Sequence, residues 1–318
     1  MGTYLVTGGC GFIGSHLIES LERDGHSVRV LDDLSTGKRE NLTGSAELVV
    51  GDVADAALVR QAMEGVDGCF HLAAIASVER GNLDWLGTHS ANLTGAIAVF
   101  DAARRPGERG PDSRGVPVVY ASSAAVFGDE PGMPLTEASP TRPLSAYGAD
   151  KLGCELHARV AGAVHGVPTA GMRFFNVYGP RQDPKSPYSG VISIFCDRLA
   201  ARRPITIFGD GLQTRDFVYV ADVVRSLRAA MSRIATAPTI TTGIYNVCTG
   251  RSTSVVDLAH TIAELCGIAA DITFAPPRAG EIRVSLGAPD RLSAELGVEC
   301  RTEMAQGLRA TLDSLKRA

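Results

Sequence analysis

Tyr147 and Lys151 stand four positions apart in the run Tyr147-Gly148-Ala149-Asp150-Lys151. That spacing puts both side chains on one face of a helix. A free tyrosine titrates near 10 and is a poor base at neutral pH, but a neighbouring ammonium favours the phenolate. Ser123 lies 24 residues upstream of Tyr147, closing the β-like run Pro117-Val118-Val119-Tyr120-Ala121-Ser122-Ser123. Its hydroxyl could share a hydrogen bond with the group that the phenolate deprotonates. Taken alone, the Tyr/Lys pair is weak evidence, and a surface tyrosine beside a helix lysine would be the better reading. The loop Gly8-Gly9-Cys10-Gly11-Phe12-Ile13-Gly14 ahead of both changes the reading, because it adds a place for a nucleotide.

Short apolar strands alternate with helical stretches through the first half of the chain, the pattern of a doubly wound parallel sheet. Strands are expected near 3–7, 27–31, 46–50, 69–73, 117–122 and 170–176, and another at Ile244-Tyr245-Asn246-Val247 that returns to the sheet. The first helix carries Ile13, Leu17 and Leu21 and stops near Gly25; the helix after Tyr147 is expected to bury Leu152, Leu156, Val160 and Val164 on one stripe. Arg104 to Gly115 is too rich in Pro, Gly and charge for regular structure, and Pro180 to Pro187 and Pro276-Pro277 mark further loops. The fold class is therefore α/β, a Rossmann sheet with a smaller, discontinuous second lobe. Residues 1–176 and 217–248 form the dinucleotide-binding part, and 177–216 and 249–318 the substrate lobe.

Gly8, Gly11 and Gly14 fall where the first strand turns into the first helix. Missing side chains let backbone amides reach a pyrophosphate there, and the helix N-terminus adds positive partial charge. Asp32 follows the second strand, where a carboxylate can accept both ribose hydroxyls and repel a 2′-phosphate, which favours NAD over NADP. Lys38 and Arg39 lie close by, and Asp32 could also serve as a strand-end turn residue.

Composition narrows the class of protein. The chain has 318 residues, 45% of them hydrophobic, and a formal net charge of −4, which argues against a nucleic-acid binder held by bulk charge. Its seven cysteines are scattered without Cys-x-x-Cys or a metal-like His pair, so they read as buried free thiols, and no metal site is expected. The first strand begins near Met1, which leaves no room for a signal peptide, and no apolar run approaches membrane-spanning length. A cytoplasmic protein is expected, with no membrane or nucleic-acid partner.

Taken together, the glycine loop, Asp32, Ser123 and the Tyr147/Lys151 pair resemble the extended short-chain dehydrogenase/reductase family of nucleotide-sugar enzymes, nearly end to end. The resemblance implies NAD as cofactor and transient oxidation of a sugar hydroxyl held by Ser123, Tyr147 and Lys151. It also puts Phe12 and Ile13 at the pyrophosphate, Lys38 beside the cofactor, Asp52 and Val53 at the adenine, and Leu72, Ala73 and Ala74 along the cofactor. Asn92 would contact the cofactor or simply pack its helix. Related 4,6-dehydratases carry an Asp-Glu pair after the hydroxyl residue, and UDP-glucuronate decarboxylases keep the Glu. This chain has Ala124-Ala125 there, so elimination lacks a proton shuttle and a 4-epimerase is favoured.

In the second lobe, Arg173-Phe174-Phe175-Asn176-Val177-Tyr178-Gly179-Pro180-Arg181-Gln182-Asp183-Pro184 looks like the crossover of UDP-hexose and UDP-N-acetylhexosamine 4-epimerases. By that resemblance Asn176 meets the diphosphate and Gln182 the sugar. Ile207 and Phe208 hold the uracil through backbone groups, and Val191 also lines the substrate. Arg215 and Arg278 bind phosphate oxygens, and Glu281 meets the uridine ribose. Ser285, seven beyond Arg278, would limit room at the sugar C2, with Ala76, Ser77 and Gly190 completing a wall of small residues; Ser285 could also be a plain loop serine. UDP-uronate epimerases usually place an arginine after the Gly-Pro-Arg-Gln segment, where this chain has Asp183. The expected activity is NAD-dependent 4-epimerisation of UDP-glucose/UDP-galactose and their N-acetylated forms. Alternatives are a UDP-uronate 4-epimerase, a C4 reductase, or a non-catalytic NAD-binding sensor. The family commonly forms homodimers through the helices that follow strands four and five.

Overall fold

Strands buried on both faces need helices on both faces, and the first half of the chain supplies them in alternation. In the computed structural model, which describes residues 1–104, 114–186, 190–277 and 282–316, the order is β1 (Thr3–Thr7), α1 (Phe12–Arg23), β2 (Ser27–Asp32), β3 (Glu47–Val50), α2 (Ala56–Met63) and β4 (Gly68–His71). Then come α3 (Val78–Leu83), α4 (Trp85–His89), α5 (Gly95–Ala102), β5 (Val118–Ser123), α6 (Ala146–His165) and β6 (Thr169–Phe174). The remainder is β7 (Asn176–Tyr178), α7 (Val191–Ala200), β8 (Ile205–Phe208), β9 (Thr214–Arg215), β10 (Phe217–Tyr219), α8 (Val220–Thr236), β11 (Thr242–Val247), β12 (Thr253–Ser254), α9 (Val255–Leu265), β13 (Ile272–Ala275), β14 (Val284–Ser285), α10 (Asp290–Leu296) and α11 (Met304–Leu315).

Seven strands form one sheet in the order β3-β2-β1-β4-β5-β6-β11, with every pair parallel. Strand order reverses between β1 and β4, and a crevice opens outside the strand ends at such a point. β11 pairs with β6 along its whole length, from Thr242 against Thr169 to Val247 against Phe174, so the returning strand expected at 244–247 is present as the sheet edge. One face packs α1 and α8 through Leu17, Ile18, Leu21, Val223 and Leu227. The other packs α2, α5 and α6 through Val59, Val99, Cys154, Ala158 and Ala161. A separate cluster of Phe195, Leu199, Ile207, Phe217, Leu258, Ile262 and Leu308 joins α7, β8, β10, α9 and α11.

α6 corrects one expectation. Leu156, Val160 and Val164 are not buried; they are 59%, 48% and 68% exposed, and Leu152 is half-buried. The sheet instead covers the side bearing Cys154, Ala158, Ala161 and Gly162. Small side chains let a long helix approach the sheet closely, which leaves the large aliphatic stripe outside. The seven cysteines are all free thiols, and Cys266 is only half-buried where burial was expected. Among the described residues no helix is long and apolar enough to cross a membrane. Most of the loop expected from Arg104 to Gly115 lies outside the described residues.

Candidate active site

At the β1/β4 crevice the backbone itself makes the cradle. Gly8 has φ +70, a left-handed conformation that L side chains rarely adopt, and a Cβ there would lie 2.6 Å from the Ala73 nitrogen. A Cβ on Gly14 would fall 2.3 Å from the Gly8 oxygen and 2.8 Å from the Gly9 Cα, so α1 can begin only if that position is glycine. Gly11 caps α1 with no side-chain hydrogen bond, and no acidic residue occupies the first turn. Phe12 and Ile13 therefore start a helix whose amides and dipole are free to meet an anion. These residues fit a dinucleotide pyrophosphate.

Asp32 ends β2 directly beside this cradle. It is 6% exposed, and its carboxylate accepts from the Cys10 amide (Oδ2, 2.9 Å) and the Leu34 amide (Oδ1, 2.9 Å). Burial raises its pKa, against the lowering effect of those two amides. Each oxygen keeps a lone pair for a ribose hydroxyl, so the turn role and a ribose role coexist. The Lys38 ammonium is engaged with the Asp183 carboxylate at 2.8 Å. Asp52 is exposed and turns its carboxylate back to the Ala54 amide at 2.8 Å, while Val53 is buried. Leu72, Ala73 and Ala74 leave β4 half-buried at the crevice, with the Ala73 amide donating to Thr7 Oγ1 at 3.2 Å. Asn92 is fully buried, and both ends of its amide hold the Ile75 backbone, at 2.8 and 3.2 Å. It thereby fixes the segment that follows Ala73 and Ala74.

Ser145 caps α6 by accepting from the Gly148 amide at 3.1 Å, which sets Tyr147 in the first turn and Lys151 one turn on. Lys151 is 2% exposed; its Nζ donates to the Ala121 carbonyl at 3.0 Å and sits 5.8 Å from the Tyr147 ring centre. Ala121 is two residues before Ser123 on β5, so one ammonium ties the end of the strand to the phenol-bearing turn. Ser123 Oγ accepts from the Ala125 amide at 3.1 Å, which leaves its own O–H to donate elsewhere. A Cβ on Gly148 would be 2.6 Å from the Ala125 carbonyl, so the first turn of α6 presses against the backbone that follows Ser123. Lys151 and the first turn of α6, with Tyr147, are thus held against the strand end that carries Ser123.

Two buried groups beneath the site were not singled out from the sequence. Glu155 accepts from Ser122 Oγ (2.6 Å) and from Arg173 Nε and Nη2 (2.8 and 2.7 Å). Glu155 lies four residues beyond Lys151, on the same helical face, and that spacing was a readable signal. His71 ends β4 with its Nδ1 2.8 Å from Thr7 Oγ1, and burial together with the Lys151 ammonium pushes the imidazole down to about 3.

After β7, Gln182 Nε2 donates to the Val177 carbonyl at 3.2 Å, and a Cβ on Gly190 would lie 3.4 Å from that same nitrogen. Gly190 caps α7, which begins at Val191. Asn176 is exposed at the start of β7. Ile207 is 1% exposed with its side chain in the lobe core, so only its backbone can meet a ligand. The Phe208 carbonyl already accepts from Gln213 Nε2 at 2.9 Å. Ser285 is the register partner of Arg215 in the parallel β14/β9 pair, which puts the two side by side. Ser77 caps α3 through the Arg80 amide at 3.1 Å, and Ala76 is exposed beside it. Arg278 and Glu281 lie outside the described residues.

Residues 4–248 match the NAD dependent epimerase/dehydratase family. A UDP-glucose 4-epimerase of Mycolicibacterium smegmatis is 37% identical over 316 residues, 97% of each chain. Among solved structures, the UDP-glucose 4-epimerase of Thermotoga maritima with UDP-glucose superposes with a TM-score of 0.91 at 31% identity, over 99% of both chains. The UDP-N-acetylglucosamine 4-epimerase of Methanobrevibacter ruminantium, in complex with UDP-N-acetylmuramic acid, gives a TM-score of 0.90 at 31% identity, over 99% of this chain and 98% of its own.

Proposed function

The chain belongs to the NAD dependent epimerase/dehydratase family, and from that footing we propose that it is an NAD-dependent 4-epimerase of UDP-hexoses and UDP-N-acetylhexosamines. The observation that carries this reading is Ala124-Ala125 directly after Ser123, in a site where Tyr147 and Lys151 are both in place. The groups needed to oxidise and restore a hydroxyl are present, and no acid follows Ser123 to expel water. Bound NAD supplies a reversible two-electron acceptor at the sugar C4. Tyr147 Oη takes the proton of the C4 hydroxyl and, once the 4-keto sugar has rotated and C4 has regained its hydrogen on the other face, returns that proton to the C4 oxygen. The Lys151 ammonium, held by Ala121, stabilises the phenolate, and the Ser123 O–H donates to the C4 oxygen. Asp32 holds the adenosine ribose and Gly11 to Gly14 the pyrophosphate.

The sugar diphosphate lies in the second lobe, residues 177–216 and 249–318, with Arg215 on the phosphates and Gln182 at the sugar; 1–176 and 217–248 carry the cofactor. Small side chains at Ser285, Ala76, Ser77 and Gly190 admit an N-acetyl group. Asp183, where uronate epimerases carry arginine, supports a neutral sugar. Two copies of the chain pair through α5 and α6, covering Leu156, Val160 and Val164 together with Ile97, itself 37% exposed. The enzyme works in the cytoplasm. UDP-glucose deuterated at C4 tests the reading: an epimerase keeps the label at C4 of UDP-galactose, because the same hydrogen returns. Loss of the label to solvent would contradict the reading, and a requirement for stoichiometric NADPH would point to a reductase instead.

A further inference from the structure

The segment that leaves β7 is fastened to the cofactor-binding part of the molecule at two points. On one side, the Arg181 guanidinium makes a two-pronged ion pair with Glu19 (2.8 and 2.9 Å) and donates to His16 Nδ1 at 2.7 Å. His16 Nε2 in turn lies 2.9 Å from the Pro180 carbonyl. With Nδ1 accepting, Nε2 carries the hydrogen and donates to that carbonyl, so His16 is neutral; burial, the largest influence on it, lowers its pKa accordingly. Arg181 has φ 66, a left-handed conformation that is unfavourable for a non-glycine residue and persists where its surroundings impose it. The ion pair with Glu19 and the His16 contacts are what impose it.

On the other side, Asp183 meets Lys38 at 2.8 Å. The Lys38 amide donates to the Cys10 carbonyl at 3.0 Å, Asn41 Nδ2 donates to the same oxygen at 2.8 Å, and Asp32 holds the Cys10 amide. Lys38 is therefore mounted on the glycine loop itself. In chain order the two anchorages are Cys10 with Lys38, and His16 with Glu19. Gly11, Phe12, Ile13 and Gly14, whose amides fit the pyrophosphate, lie between them. The segment from Gly179 to Asp183 runs from one anchorage to the other, past the first turn of α1.

We propose that Gly179–Asp183 is an ionic clasp over the pyrophosphate end of the dinucleotide site, and that the Lys38–Asp183 and Arg181–Glu19 pairs set how long the enzyme keeps its NAD. This rests on the family's NAD site and not on which sugar is turned over. An enzyme that regenerates its cofactor within each turnover gains from slow release, and the clasp supplies it from the substrate lobe. Asp183 then acts as a cofactor-retaining residue.

The test is exchange of radiolabelled NAD⁺ from the loaded full-length protein into excess unlabelled NAD⁺, followed by filter binding. Lys38→Met, Asp183→Asn and Glu19→Gln are each expected to speed release by about threefold to fivefold, as for partly exposed pairs. Asp183→Asn with Glu19→Gln together is expected to reach about tenfold or more. The reversed pair Lys38→Asp with Asp183→Lys should return release to within about twofold of the parent, which loss of a direct lysine–ribose contact would not allow. Thermal melts confirm that each variant is folded. Single variants that exchange as slowly as the parent, or a reversed pair as fast as the singles, overturn the clasp while leaving the NAD site standing. A parent protein that holds no NAD overturns both.

Discussion

Replacing Arg173 with methionine is expected to unfold the protein well below its normal temperature while leaving the reacting groups chemically intact. Arg173 and Glu155 have side chains only 5% and 7% exposed and meet through two short hydrogen bonds. Arg173 also donates to the Glu137 carbonyl at 3.3 Å and stacks 4.7 Å from the Phe127 ring centre. Removing the guanidinium strands a carboxylate beneath Ser122, and breaking one side of such a pair costs about 3–5 kcal/mol. Unfolding entropy of about 2.1 cal/mol/K per residue over 318 residues is near 0.7 kcal/mol/K. A loss of about 4 kcal/mol therefore lowers Tm by about 6 °C. Turnover should fall as well, since Ser122 and Ala121 fix Ser123 and Lys151 from the same strand. Arg173→Met with Glu155→Leu removes the buried charge altogether and is expected to recover at least half of the lost Tm. Thermal melts followed by circular dichroism measure both. An Arg173→Met protein that melts within about 2 °C of the parent, or a double variant no better than the single, would show that the buried pair does not carry this stability.

Tyr147→Phe should fold and keep its NAD but lose nearly all turnover, because one hydroxyl on a first-turn residue carries little stability and all of the proton transfer; more than a tenth of parental turnover would remove Tyr147 as the base. Ser285→Tyr should abolish turnover of UDP-N-acetylglucosamine and spare UDP-glucose, since Ser285 is the register neighbour of Arg215; equal effects on both sugars would show that it is not the gate. His71 makes stability depend on pH. Its folded pKa of about 3 lies below the ordinary 6.5, so its contribution is complete above 6.5 and is lost as pH falls towards 3. At pH 5 that loss is about 2 kcal/mol, or about 3 °C in Tm, and His71→Gln should flatten this part of the Tm–pH curve. Parallel curves for parent and variant would contradict it.

Much of this architecture is readable without coordinates. The strands of the parallel sheet announce themselves as short apolar runs, and their ends carry Asp32 and Ser123, so the crevice and the groups facing it follow from the pattern. α6 shows where pattern reading stops. Periodicity tells which residues share a helical face, but not which of two faces the sheet will cover. Leu156, Val160 and Val164 look like a core stripe, yet Ala158, Ala161 and Gly162 win the sheet because they allow closer approach. Partnerships across long sequence separations are equally silent. Nothing local links Arg181 to Glu19 or Asp183 to Lys38; only the fold brings the segment after β7 back to α1 and the glycine loop. The phosphate and ribose roles expected of Arg278 and Glu281 rest on the family resemblance alone, since both fall outside the described residues.

As proposed, this chain interconverts C4 epimers with a cofactor it already holds. Proton NMR of the purified protein with UDP-glucose, and separately with UDP-N-acetylglucosamine, tests it most directly when no NAD is added. The anomeric signals of UDP-galactose and UDP-N-acetylgalactosamine should grow to a constant ratio, reached again when each reaction starts from the galacto epimer. Unchanged spectra in both tubes, or a 4-keto-6-deoxy product, would contradict it.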